Sequence, residues 1–583
     1  MFECYSGSFS MDTQDQVRRY HEETKHHFYR YARALGYMDW ANQPDPFRRF
    51  EGARLYRLPI LSAEQEPRSP SYTDLYRVGA IKPLPVTVPA LSRLFEYALA
   101  ISAWKEFQGT RWALRSNPSS GNLHPTEGYA LLPAMPGLAS TPGLYHYASK
   151  EHGLELRMEC GKAVYDKLVE PYPQGTFFIG LSSIHWREAW KYGERAFRYC
   201  QHDTGHAIAA LRLAASAQGW QATMLEGVCD DMIARILGLD RVEDFSGAEH
   251  EHPDCLMAVW PRKPVTSDAL RVTGGALDSE PVKIPLLLDT SGVQEIAEGT
   301  WHGRANRLSR EDPVPWEIID DVAAASWKSS SESLFMDLSS LTSHSSPVTR
   351  HESVITAGQI FRQRRSAVAL DGKTGMKADV FFRMLERVMP QGDRPQGERS
   401  VPWDVWPWEP RIHLGLFVHL VDGISPGLYA LVRDASKQET LRRAMHDHFL
   451  WAVPENCPAT VPLYLLQEGD ARQLAAQVSC HQAIAGDGAF SLGMLADYDG
   501  ALAAYGAWFY RRLFWETGMI GQVLYLEAEA AGIRATGIGC FFDDPVHRVF
   551  GLKERWFQSL YHFTAGGPVD DPRLTTLPPY EIP

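Results

Sequence analysis

The sequence predicts an α+β protein made of two tandem copies of one domain behind an N-terminal helical arm. Three observations carry that expectation. At 583 residues the chain is too long for a single hydrophobic core. "YGERAFRYCQHDTGHAIAALRLAASAQGWQATMLEGVCDDMIARILGL" (192–239) and "YGAWFYRRLFWETGMIGQVLYLEAEAAGIRATGIGCFFDDPVHRVFGL" (505–552) align at an offset of 313 without a gap, with 17 of 48 positions identical. The two halves also differ in a complementary way: "NPSSGN" (117–122) occurs only in the first and "RQRRSAV" (362–368) only in the second.

The elements follow in order. Residues 1–75 form the arm, with a helical, His-rich stretch from Tyr20 to Tyr37 in which "KHHF" reads as a solvated helix face and not a metal site. The first domain covers 76–265. It opens on the proline-rich "RVGAIKPLPVTVPALSRLFEYAL", passes through the turn-forming loop, and reaches the repeat. In each copy a long helix, apolar through Ile208, Leu211 and Ala215 in the first, ends at a glycine, Gly219 or Gly532. A short β-prone segment follows (221–225; 533–538), then Asp-Asp, a short helix ending at Gly-Leu, and a buried strand, "CLMAVWP" or "SLYHFTAGG". Helices interspersed with few, short strands define the α+β class. Between the copies, residues 266–350 are rich in Ser, Pro, Gly and Thr and read as a linker, with one helix in "VPWEIIDDVAAASW". The second domain covers 351–583.

Composition narrows the function classes. A net charge of −13 with no Lys/Arg block argues against a nucleic-acid partner. No apolar run reaches membrane-spanning length and the N-terminus lacks a signal-peptide pattern, so no membrane association and a cytoplasmic location are expected. The eight cysteines are scattered without a CxxC; they read as reduced and mostly buried, neither a disulfide framework nor a zinc site. Dinucleotide-fold, Walker, HExxH and GxSxG fingerprints are missing from fitting contexts.

The repeat, the loop and the basic segment together resemble the nitroreductase-like flavoprotein superfamily, closest to its SagB/ThcOx branch of FMN-dependent dehydrogenases. The resemblance covers both halves and "MDWANQPDPFRRFEG" (38–52) of the arm. It implies an intrachain pseudo-dimer of two nitroreductase-like domains with FMN held between them. Arg364 and Ser366 match the family's phosphate-holding Arg-x-Ser, beside Arg365 and with Val368 where a further cation is common. An arginine fork and a hydroxyl at the start of a helix suit a phosphate dianion. Pro118, Ser119, Ser120 and Asn122, preceded by Arg115 and followed by "LHPTEGY", match the loop laid against the flavin ring, where Gly121 permits close approach. Gly537 and Gly539 stand where the first half has Met224 and Glu226, opening backbone N–H groups to the cofactor in this copy alone, and Arg573 matches a C-terminal phosphate-binding residue. Each half keeps the element the other lacks, which predicts one complete FMN site.

FMN supplies hydride acceptance at N5, so the protein must remove a proton. Lys191-Tyr192 matches the Lys-Tyr pair of the branch's azoline dehydrogenases, with Lys191 as base and Tyr192 as relay or substrate holder; the second copy has Ala504-Tyr505. His124 is a further pocket candidate, against a role in holding the loop. The expected function is an FMN-dependent oxidoreductase acting on a small-molecule or peptide-derived substrate such as an azoline, as a monomeric pseudo-dimer or a higher homo-oligomer. Two alternatives stay open: an NAD(P)H-dependent nitro or quinone reductase, and a flavin-free peptide-binding scaffold.

Overall fold

The computed structural model describes residues 12–60, 69–77, 79–262, 283–337, 355–391 and 399–580. The outer parts of the expected linker, 266–282 and 338–350, lie outside these residues.

Each copy folds into an antiparallel sheet, and the strand order is the same in both. In the first half Gly153–Glu159, Gly143–Ala148, Thr126–Leu132, Phe177–Ser183, His252–Pro261 and Trp220–Met224 lie side by side. In the second, Leu463–Glu468, Gly427–Leu431, Ile412–Val418, Phe490–Asp497, Phe557–Gly566 and Arg534–Ile538 repeat that order. The expected final strands are buried along almost their whole length, the second with Gln558, Ser559, His562 and Thr564 buried among its apolar residues.

The two long helices, Ala196–Ala217 and Phe509–Ala530, run through the middle and pack on each other. The duplicated Thr-Gly pairs explain how. A Cβ on Gly205 would collide with the Trp515 carbonyl, and one on Gly518 with the His202 carbonyl. Residues 202 and 515, like 205 and 518, are equivalent in the repeat, so the crossing is reciprocal and needs glycine on both helices. The duplicated Arg and Asp residues close the same interface. Arg198 donates to Asp543 of the other half at 2.9 Å, and Arg511 donates to Asp230. Although burial opposes it, Arg195 and Arg198 hold the Asp543 carboxyl well below its usual range. One hydrophobic core runs through both halves.

The chain ends lock the halves further. Thr575–Leu577, from the end of the second half, adds an edge to the first half's hairpin Ile101–Phe107/Thr110–Arg115. Tyr580 receives the Ile101 N–H at 2.9 Å and donates to the Ser149 carbonyl at 2.7 Å.

Two expectations change. The arm helix covers only Thr13–Glu23, because its last carbonyls are taken by the other elements: Arg198 donates to the His21 carbonyl and Arg195 to that of Thr24. "KHHF" is therefore no helix face, and Lys25 and His26 are buried. The middle of the expected linker is built structure. Helix Thr290–Ala297, capped by Asp289, buries Val293 and Ile296 in the first half's second apolar cluster, with Leu288 beside them. Thr300–Trp301 then pairs with Met158–Glu159. The helix expected in "VPWEIIDDVAAASW" spans Glu317–Ala325.

Candidate functional site

Where the halves meet, a cavity of about 290 Å³ opens. From the first half it is lined by Pro118 to Asn122, Tyr192, Tyr199, Asp203 and His206. The second half contributes Ser366, Gln482, Tyr525, Thr536 to Cys540, and Tyr561. A wider groove of about 450 Å³ lies on the outer face of the second half, and none of the expected site residues lines it.

The loop is held open by its own backbone. Gly121, Asn122 and His124 adopt φ of +62°, +56° and +51°, and the His124 N–H donates to Ser119 Oγ at 2.8 Å. His124 itself is buried against the Ala113 carbonyl, which makes it a loop-holding residue outside the cavity. The bare face of Gly121 receives the Lys-Tyr pair: a Cβ there would stand 2.8 Å from Tyr192 Oη and 3.0 Å from Lys191 Nζ. Short helix His185–Tyr192 brings the pair to this point and then turns at Gly193, whose Cβ would strike the arm at Arg33 and Ala34.

Asp203, about two turns into the first long helix, accepts the Ser120 N–H at 3.3 Å, while its second oxygen has no partner. Burial pushes its carboxyl up to about 8, against the hydrogen bonds from Ser119 and Ser120. Glu188, on the same helix as Lys191, is buried with both carboxylate oxygens unpartnered. Burial, then Asp203, push it well up, against the pull of Lys191. Burial likewise holds the Tyr192 and Tyr561 phenols well above their ordinary value, so they stand as neutral donors. His206 is lowered to about 3 by burial and by Arg364, leaving a neutral imidazole.

The second half supplies the opposite wall, in part differently from expectation. Ser366 lines the cavity and donates to Tyr525 Oη at 3.0 Å. Arg364 lies over the Tyr525 ring and does not line the cavity; it donates to the Arg115 and Ser116 carbonyls at the root of the loop, and its Nη1 is buried without a partner. Arg364 and Ser366 follow helix Ala357–Gln363 instead of preceding one, so no free helix N–H groups join them. Arg365 covers that helix's end, donating to the Arg362 carbonyl at 2.8 Å and to Ser102 across the interface. Arg115 is buried and donates to the Pro46 and Thr126 carbonyls, fixing the arm to the loop's root. Gly537 and Gly539 line the cavity. Gly537 N–H donates to Tyr525 Oη at 2.8 Å, and Cβ atoms on the two glycines would strike Tyr561 and Tyr199. Their smallness makes room for tyrosine rings. Arg573 is on the surface, paired with Asp571 and stacked on Phe107, and Val368 is exposed; neither reaches the cavity.

At the equivalent place on the other side of the molecule the same positions carry other side chains. Glu226 replaces Gly539 and pairs with Lys328 at 3.2 Å; Arg512 replaces Tyr199 and reaches the same carboxylate at 3.9 Å. Trp406 and Trp408, from the segment that replaces the Pro-Ser-Ser loop, and Trp508, in place of Arg195, complete this wall. The residues sequence reasoning passed over, Tyr199, Asp203 and His206, are those where the copies diverge: Arg512, Glu516 and Met519. Reading differences between the repeats, and not only identities, would have found them.

A model of the Nitroreductase family matches residues 82–250 and 420–567, more than half of the chain. Among solved structures, a protein assigned as a nitroreductase from Anabaena variabilis is similar over 95% of this chain and 99% of its own, with 21% identity and a TM-score of 0.63. A second, from Ralstonia eutropha, matches 40% of this chain and 97% of its own at 16% identity and a TM-score of 0.26. The Escherichia coli microcin synthetase McbBCD, in complex with truncated pro-MccB17, matches 35% of this chain and 74% of the matched one at 19% identity and a TM-score of 0.25. No curated protein matches the sequence. Among the described residues no helix is long and apolar enough to cross a membrane.

Proposed function

Because the chain belongs to the nitroreductase family, we propose that the cleft between its halves binds FMN and that the protein is an FMN-dependent dehydrogenase or oxidase of a peptide-derived or other secondary metabolite, such as an azoline. The observation that carries this reading is the meeting of Lys191 Nζ and Tyr192 Oη on the bare face of Gly121, in one copy of the repeat only. Nitro or quinone reduction needs no such positioned pair, whereas removing hydrogen from a carbon–nitrogen unit requires a base.

The residues present fit the cofactor. Pro118 to Asn122 would lie against the flavin ring, with Tyr199 and Tyr561 as flat walls, Ser366 would serve the phosphate, and Arg364 would hold the root of the loop behind them. Bound FMN would supply the hydride acceptor. Lys191 then accepts the substrate proton, and Tyr192, kept neutral by burial, donates a hydrogen bond that orients the substrate. Asp203 and Glu188 are both raised by burial, and the charge of Lys191 pulls Glu188 the other way.

The visible spectrum and two variants test the reading. The purified protein, reconstituted with FMN, is expected to be yellow. Lys191→Ala should keep the flavin spectrum and lose on the order of 10²-fold in turnover of an azoline peptide; Arg364→Ala should lose the flavin. A protein that takes up no FMN sinks the proposal, and a fully active Lys191→Ala removes its base.

A further inference from the structure

Three chain segments far apart in sequence converge beside the cleft. His26 comes from the arm, Cys480 from the turn after helix Arg472–Val478, and Cys540 from the turn after strand Arg534–Ile538. His26 Nδ1 is 3.6 Å from Cys540 Sγ and 4.0 Å from Cys480 Sγ, and all three ligand atoms lie within 4.8 Å of one another. Tetrahedral zinc, with Zn–S of about 2.3 Å and Zn–N of about 2.0 Å, sets sulfur and nitrogen about 3.5 Å apart and two sulfurs about 3.8 Å apart. The His26–Cys540 spacing of 3.6 Å matches that edge, and the 4.0 Å to Cys480 asks that sulfur to move in by about 0.5 Å.

The three residues are held in place by contacts other than their own. The His26 N–H donates to Asp543 Oδ2 at 2.9 Å and the Asp543 N–H returns to the His26 carbonyl at 3.1 Å, so the imidazole sits on a pinned backbone. Gln482 Nε2 donates to the Ser479 and Cys540 carbonyls, both at 3.0 Å, which ties one cysteine turn to the other. The Phe542 N–H donates to the Val478 carbonyl at 2.8 Å and repeats the tie. His26 is buried while both cysteines are half-exposed, and Cys540 also lines the cleft.

We infer that His26, Cys480 and Cys540 form a binding site for a zinc-class transition ion, with three protein ligands and a fourth position left for water or for a donor atom of a molecule in the cleft. Two thiolates and a neutral imidazole match the charge and softness of Zn²⁺. Binding releases the two thiol protons as the two Zn–S bonds form, with no change of oxidation state. The ion would clip the arm onto the second half at the cleft's rim. This site is independent of whether FMN binds.

The test uses the full chain, reduced with a phosphine and freed of metal by chelation. Titration with Co²⁺ alone should produce thiolate-to-cobalt charge-transfer absorption that saturates at about one ion per chain and is bleached by Zn²⁺. Cys480→Ser and Cys540→Ser should each weaken that band, and the double variant should abolish it; Cys457→Ser should leave it intact. Should a variant fail to fold, the parent answers alone: Zn²⁺ should protect Cys480 and Cys540 from alkylation, read by peptide mass. Absence of the band in the parent, its survival in the double variant, or alkylation unaffected by Zn²⁺ would overturn the site, as would finding the two cysteines joined in a disulfide that withstands the reductant.

Discussion

At the scale of single residues, Asp203 is the most informative group in the cleft. Its folded pKa, near 8, lies above that of an unfolded aspartate, so between about pH 4 and 8 the native state holds a proton that the unfolded chain has lost. The unfolding free energy contributed by this group therefore falls as pH rises through that window and levels off above it. Asp203→Asn should flatten the fall, and chemical denaturation of both proteins at a series of pH values measures it; equal slopes would remove the assignment. The candidate site was only partly legible at this scale. "NPSSGN" is legible because Gly and Asn at positive φ leave a compositional trace. The orientation of Arg364 is not: two donors at the root of the loop and one free are set by carbonyls of the other half, about 250 positions away. Arg573 matched by position along the chain, yet Asp571, two residues before it, holds it at the surface.

At the scale of elements, the crossing of the two long helices rests on Gly205 and Gly518. Alanine would raise intrinsic helix propensity by about 1 kcal/mol. At Gly205 its Cβ meets a backbone carbonyl that cannot turn aside, and forcing the helices apart costs about 1–3 kcal/mol. The crossing should win, so Gly205→Ala is expected to lower the thermal midpoint; an unchanged or higher midpoint would show that the helices separate freely. The helices, their glycine stops and the following strands were legible because the same pattern is written twice. The end of the arm helix was not, since two arginines of another element set it. Nor, apart from the helix Glu317–Ala325, was the structure of 283–337: its Ser- and Pro-rich composition hides Val293 and Ile296, whose burial depends on a surface elsewhere in the chain.

At the scale of the whole molecule, two like sheets enclose unlike clefts. One side has bare glycines under tyrosine rings; the other has the Lys328–Glu226–Arg512 cluster and a wall of tryptophans. On the proposed reading one FMN binds per chain, and flavin absorbance against protein concentration should give a ratio of one. A ratio of two would mean that the charged, Trp-lined side also accepts the cofactor.

The covalent joining of the halves has a genetic consequence. A symmetric dimer made from one coding sequence receives every substitution at two places, so a residue useful at one site and harmful at its twin is tested at both together. Here Lys191 can exist without a counterpart at residue 504, and Glu226 without one at residue 539. Selection could act on each wall separately, letting one keep its chemistry while the other drifted into scaffold.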